Sequence, residues 1–172
     1  MVTLLRALLE LPKPVVGRVD GHVRAGGMGL VAACDLVVAG PSCTFALTEA
    51  RLGLAPAVIS PVVLARMTAR GASRYFLTGE TFGPSEAAAM GLVTIFSDSP
   101  DAVVTGLLDN LRLGSPQGLA ESKALTTAAI LAELDRSSSR LAEQSARLFG
   151  SPEAREGMLS FLERRPPSWA GR

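Results

Sequence analysis

Residues 14–56 read PVVGRVDGHVRAGGMGLVAACDLVVAGPSCTFALTEARLGLAP. The β-branched run at 15–19 predicts a short buried strand. A turn-rich loop, DGHVRAGG, follows it. From the pair Gly26-Gly27 to Asp35 the spacing is helical but almost every residue is apolar, so this helix is expected inside the protein. Strands are expected over 36–39 and 44–47. A single carboxylate, Glu49, then stands among Leu47, Leu52 and Leu54.

The glycine cluster GGMG admits three roles. Glycines let a helix start pack closely on a strand. GMGLVA also fits the dinucleotide pattern G-x-G-x-x-A, with an acid, Glu49, twenty residues beyond Gly29. That pattern needs a strand running straight into its first glycine, and an acid ending the second strand. Here the stretch 20–26 intervenes, and Gly40 sits where the acid belongs. The third role is an oxyanion site, because bare N–H groups at a helix start suit a developing enolate oxygen. Glu49 is open in the same way. Buried among leucines it would have a raised pKa suited to proton transfer; at the surface it would pair with Arg51.

Other polar residues carry less. His22 is the one histidine and has no G-x-S-x-G partner motif, which favours an incidental loop role over a triad. Asp20 reads as a turn residue before Gly21. Asp35 ends a helix, where a carboxylate opposes the dipole, so a specific structural partner is expected for it. Cys34 and Cys43 lack metal-ligand spacing and read as buried free thiols. No HExxH, Walker lysine or His/Cys/Asp cluster is present, so no metal is expected.

Outward from this stretch, residues 2–11 predict a helix with Leu4, Leu5, Leu8 and Leu9 on one face, ended by Pro12 and Pro14. A helix interrupted at Pro61 is expected over 56–69, and a short one over 72–77. Pro84 and Ser85 open another that Gly91 closes, and a strand leaves over 93–96. Beyond that the chain reads as helices over about 100–112, 116–130, 131–149 and 152–163. A tail beyond Pro166 is expected to be loose, with Trp169 free to dock on a neighbour. The character thus changes near residue 98, dividing the chain into an α/β part, 1–98, and a helical part, 99–172. No internal repeat is visible.

Hydrophobic residues make up 48% of the chain and the net charge is +1, a balance that offers nothing to nucleic acid or to a membrane surface. The N-terminal apolar run is broken by Arg6 and Glu10, and no uncharged run is long enough to span a bilayer. A soluble, cytoplasmic protein is the expectation.

The order of motifs resembles the enoyl-CoA hydratase/isomerase (crotonase) superfamily. The resemblance rests on residues 13–56, on YFLTGETFGPSEAAAMGLV at 75–93, on SPQGLAESKAL at 115–125 and on SPEAREGMLSFLERRPPSW at 151–169. GLVAACD and PAVIS look most like the bacterial branch that includes methylglutaconyl-CoA hydratase-like proteins. The resemblance implies an α/β fold of ββα spiral turns, here partial, with an all-α C-terminal trimerisation region. It implies an acyl-CoA thioester substrate, no cofactor beyond the coenzyme A carried by that substrate, and a homotrimer or dimer of trimers. Gly26 matches the family's second oxyanion donor and Glu49 its downstream catalytic glutamate. Gly27 and Gly29 fall with them on the substrate-binding surface. Phe161 and Arg164 match a C-terminal patch that helps hold coenzyme A.

Two departures qualify that picture. Many hydratases carry a second glutamate where this chain has Gly29. One carboxylate would then take both proton-transfer roles of a hydration, or would serve a double-bond isomerisation. Family members are also longer at the N-terminus, where the first spiral turns and the other oxyanion amide lie. The resemblance therefore implies a truncated chain with an exposed strand edge, poor solubility or dependence on partner subunits, and impaired activity. A non-catalytic assembly subunit is the alternative from another functional class.

Overall fold

Two short parallel sheets form the frame of the computed structural model, which describes residues 1–171. Helix α1 (Val2–Glu10) precedes β1 (Val16–Val19) and β2 (His22–Arg24), and α2 (Gly26–Ala33) follows them. The pattern then recurs as β3 (Leu36–Ala39), β4 (Thr44–Ala46), a 3₁₀ turn (Glu49–Leu52) and α3 (Ser60–Arg66). After α4 (Ala69–Thr78) and α5 (Pro84–Ala89), β5 (Ile95–Phe96) closes the sheet part. One sheet has the order β1-β3-β5, the other pairs β2 with β4. Each ββα unit gives one strand to each sheet, so the chain advances as a spiral. This structural repeat has no counterpart in residue identity; what recurs is a four-residue strand followed by a three-residue strand.

The helical remainder is α6 (Pro100–Arg112), α7 (Pro116–Phe149) and α8 (Pro152–Leu162). Helix α7 packs across α1 and α3 and is one 34-residue helix, not two. The division expected at residue 130 does not occur because no Gly or Pro interrupts the helix between Gly118 and its C-cap Gly150, while Ile130, Leu134, Ser137 and Leu141 keep one buried stripe running through it. Among the described residues no helix is long and apolar enough to cross a membrane.

Several boundaries differ from the sequence expectations. The loop at 20–26 contains strand β2, because Val23 is buried and pairs with Phe45. Helix α2 stops at Ala33, and Cys34 is already extended. Pro61 lies in the first turn of α3, where its missing N–H is tolerated, so it starts that helix rather than interrupting it. Helix α4 begins at Ala69, earlier than expected, because the Thr68 hydroxyl caps the Gly71 N–H. The strand expected over 93–96 forms only at Ile95–Phe96. The tail is tied back: Arg165 and the Ser168 N–H both bind Glu156, holding its carboxyl down to about 2, and Trp169 is half-buried on its own chain.

The core runs between the sheets and α1, α2 and α3. Phe45, Phe82 and Tyr75 stack at its centre, with ring centroids 5.6 Å and 4.0 Å apart along the series. Leu5 and Leu9 of α1 and Met28 of α2 are fully enclosed. Both cysteines are free thiols; Cys34 is only half-buried, against expectation, while Cys43 is buried and its Sγ donates to the Val19 carbonyl.

Asp35 has the partner its position called for. Its Oδ2 lies 2.8 Å from Lys123 Nζ and accepts the Val15 N–H at 2.7 Å. The same ammonium donates to the carbonyls of Leu8 at 2.7 Å and Lys13 at 3.0 Å. One buried lysine on α7 thus fastens the end of α1, the approach to β1 and the start of β3. Removing one member of a buried pair costs about 3–5 kcal/mol, whereas replacing both by apolar groups is often neutral. Lys123→Met is therefore expected to lower the urea midpoint strongly. Lys123→Met combined with Asp35→Leu is expected to recover much of the loss, and chemical denaturation of the two variants checks the difference.

Candidate active site

Parallel pairing of β2 with β4 sets Arg24 opposite Ala46. The next residues of each chain therefore leave the sheet side by side, Ala25-Gly26 from one strand and Leu47-Thr48-Glu49 from the other. The register is locked by polar side chains on one face. Arg24 donates to the Thr44 carbonyl and hydroxyl, both at 2.8 Å, and His22 Nδ1 lies 2.7 Å from the same hydroxyl. His22 is thus engaged in a cross-strand bond.

At the exit from β2 the chain turns sharply. Ala25 has φ +48° and ψ −125°, a conformation L-residues rarely adopt, and caps α2 without a side-chain hydrogen bond. The Met28 N–H closes the first turn onto the Ala25 carbonyl at 3.0 Å. The N–H groups of Gly26 and Gly27 have no intrahelical partner, as in any first turn, and no side chain covers them by capping.

At the exit from β4, Glu49 opens the 3₁₀ turn. Burial pushes its carboxyl above the ordinary range, opposed in part by a hydrogen bond from its own N–H. Its Oε2 is buried without a hydrogen-bond partner among the described residues. Arg51 does not pair with it, since that guanidinium donates to the Thr78 carbonyl at 2.8 Å. The surface-pair alternative for Glu49 is thereby removed.

Gly26 and Glu49 line one cavity of about 390 Å³. Its other walls are mostly apolar: Leu52, Leu54, Val58 and Ile59 near the turn, and Phe149 of α7 with Met158 of α8 opposite. Thr48 and Ser145 add hydroxyls, and Glu49 is the one ionisable side chain among the described lining residues. Larger hollows elsewhere lack this pairing of a helix start with a carboxylate. Among the described residues no cluster of three or more His, Cys, Asp or Glu is placed to hold a metal ion.

The remaining candidate residues lie elsewhere. Gly27 faces Val23, with space for a Cβ at 3.4 Å. Gly29 is buried, and a Cβ there would stand 2.6 Å from Ile59 Cγ2. Ile59, not Gly29, forms the cavity surface on that side. Phe161, 72% exposed, and Arg164 lie at the end of α8 and do not line the cavity. Sequence reasoning missed Ser145, Phe149 and Met158. The i, i+4 spacing of Ser145 and Phe149 put both on one helix face, but nothing in the pattern showed which surface that face would meet.

The raised carboxyl has a consequence for stability. Between the ordinary glutamate value and its raised value, the folded chain binds more protons than the unfolded one. Stability therefore falls as pH rises through that interval and stays lower above it. Glu49→Gln is expected to raise the melting temperature at neutral pH, and the gain should vanish at pH below about 4, where both states are protonated. Paired thermal melts at the two pH values check this.

The family model described as enoyl-CoA hydratase/isomerase matches residues 1–172. The carnitinyl-CoA dehydratase of Escherichia coli K12 is 30% identical over 190 residues, covering 98% of this chain and 67% of that protein. The crystal structure of an enoyl-CoA hydratase from Mycobacterium avium superposes with a TM-score of 0.96 at 57% identity, over 98% of this chain and 67% of the other. An enoyl-CoA hydratase from Shewanella pealeana gives 0.71 at 36% identity, over 98% and 64%. The chain thus spans about two thirds of the length of these relatives. It belongs to the enoyl-CoA hydratase/isomerase family and has the crotonase fold.

Proposed function

We propose that this chain carries out proton transfer on an acyl-CoA thioester, with hydration of a 2-enoyl thioester as its leading reaction. The observation that carries the proposal is the shared cavity, in which the start of α2 and a half-buried carboxylate face one apolar space. The Gly26 N–H donates to the thioester oxygen as negative charge develops on it. The Glu49 carboxylate takes a proton from water while the oxygen adds to C3. The resulting enolate receives that proton at C2 from the same carboxyl. The apolar walls suit an aliphatic acyl group and keep the carboxyl's proton affinity high. Phe161 and Arg164 are assigned to the coenzyme A side, with Gly27 and Gly29 as backbone support behind Gly26.

Isomerisation is the second reading, favoured by Glu49 being the lone lining carboxylate. In that reaction Glu49 removes a proton from C2 of a 3-enoyl thioester and returns it at C4. Ile59 fills the space beside Gly29, so no second acid is supplied from there. A non-catalytic assembly role is favoured by exposed apolar residues instead, Leu77 on α4, Leu113 after α6 and Leu125 on α7 above all. In each reading the helical part, 99–172, serves assembly into a homotrimer or dimer of trimers.

Loss of crotonyl-CoA absorbance reports hydration, and conversion of a 3-enoyl-CoA reports isomerisation. Glu49→Gln is expected to lower the turnover of whichever reaction is native by about 10²- to 10⁴-fold. Equal rates for wild type and variant would remove the role given to Glu49. Absence of both reactions, together with a defined oligomer by light scattering, would favour the assembly role.

A further inference from the structure

Helix α8 rests on the 3₁₀ turn with no side chain between the two backbones. A Cβ added at Gly157 would stand 2.5 Å from both the carbonyl carbon and the oxygen of Leu52, and 2.7 Å from its Cα. From the other side, a Cβ at Gly53 would stand 2.6 Å from the Glu153 carbonyl carbon and 2.8 Å from the Ala154 nitrogen. The obstructing atoms are backbone in both cases, so no rotamer change makes room. Gly53 also has φ +68°, which independently favours glycine there. Ala154 and Ser160 flank Gly157 on the same face of α8 and are buried with it. The Ser160 hydroxyl turns back to the Gly157 carbonyl at 2.9 Å, and the Ser151 hydroxyl caps the Ala154 N–H at 3.1 Å. These bonds fix the register of α8 without extending a side chain into the contact.

The turn beneath this contact begins at Glu49. The Leu54 N–H donates to the Glu49 carbonyl at 2.9 Å, closing the turn onto its first residue. The residue after Gly157 is Met158, which enters the cavity wall with Leu52, Leu54 and Glu49. One helix seat thus touches the backbone that carries the carboxylate and also supplies part of the wall around it.

We propose that Gly157 and Gly53 are positioning residues for Glu49: they let α8 sit on bare backbone, which holds the 3₁₀ turn in place and brings Met158 over the cavity so that water is kept from the carboxylate. The proposal deepens the reading of Glu49 as the proton-carrying group and rests on it. Met1, which carries the α-amino group, lines the cavity with Glu49; the charged side chains on the packed elements are committed or directed elsewhere. Arg51 on the turn binds the Thr78 carbonyl, Arg74 on α4 pairs with Glu80, and Glu156 on α8 pairs with Arg165. Arg70 on α4, Glu153 and Arg155 on α8, and Glu143 and Arg147 on α7 do not line the cavity. Burial raises the carboxyl and the hydrogen bond from its own N–H lowers it, so admitting water while the turn keeps its form moves it downward.

The test reads Glu49 itself and needs no turnover. Protein carrying ¹³C-carboxyl glutamate is titrated by NMR, with the Glu49 signal assigned by its loss in Glu49→Gln. Wild type is expected to titrate above the ordinary glutamate range. Gly157→Ala and Met158→Ala are expected to bring the midpoint down toward that range while circular dichroism still shows a folded chain. An unmoved midpoint in folded Gly157→Ala overturns the proposal. Should that variant not fold, Met158→Ala decides, because it opens the wall and leaves the backbone seat intact; an unmoved midpoint there overturns the proposal equally. In turnover, the acid limb of the kcat/KM profile should move to lower pH in the same variants. Shifted NMR midpoints in a protein with no hydratase or isomerase turnover would support the positioning role and sink the functional reading separately.

Discussion

The register between β2 and β4 is the constraint from which the site follows. Parallel strands leave a sheet at the same end, so Arg24 opposite Ala46 delivers Gly26 and Glu49 to one place although twenty-three residues separate them in sequence. A slip of one residue in either strand would turn that strand's buried residue, Val23 or Phe45, out of the core. It would also break the bonds that Arg24 and His22 make to Thr44. The polar face of these short strands is spent on locking the register, and the apolar face on the core. Helix α2 then starts where the two exits meet. Its body is covered by α1 and α3, which is why it is apolar nearly all round and shows no amphipathic period.

The helical part is bound to this frame at two very different contacts. One is ionic: Lys123 holds Asp35 and two carbonyls within a nearly closed space, tying α7 to α1 and to the start of β3. The other is steric, where glycines let α8 lie on the turn beneath it. An ion pair of this kind adds little net stability compared with apolar packing, but it tolerates few alternative arrangements. The three carbonyl and carboxylate acceptors around Lys123 fix its position more narrowly than a leucine would be fixed. Together the two contacts make the cavity a joint product of both parts of the chain, with Ser145, Phe149 and Met158 from the helices facing residues of the spiral.

Much of this was legible in the sequence wherever local chemistry decides the outcome. Proline and serine marked the starts of α5, α7 and α8, and Asp35 at a helix end announced a partner. What stayed hidden depended on contacts between distant residues. Strand β2 is only three residues long and forms because β4 lies beside it, so its histidine and the glycines that flank it read as loop. The continuity of α7 depends on a buried stripe that α1 and α3 define from outside. Gly29 is the sharpest case. The motif puts it on the substrate surface, but its environment is the inner face of α2, against Ile59 and Leu5. Periodicity could locate that glycine on the helix, but an almost wholly apolar helix gives no sign of which face turns inward.

Several unfavourable features meet at one place, although Arg164 with φ +53° and the unpaired Asp35 Oδ1 lie elsewhere. Ala25 holds a backbone conformation that disfavours a side chain. The adjoining amides lack a capping side chain, Glu49 is partly desolvated with Oε2 unpaired, and Gly53 with Gly157 admits no substitution without moving backbone. The first three would be relieved by a simple change: glycine at 25, a capping serine before α2, or glutamine at 49. Strained backbone, uncovered donors and a desolvated acid persist only where surrounding packing enforces them. Here the enforcing contacts are the β2–β4 register on one side and the α8 seat on the other, and both converge on the space between Gly26 and Glu49. In the proposed reaction, such a space would offer a fixed donor to a developing anion and a carboxyl of raised proton affinity to the carbon beside it. A surface used only for packing would need neither.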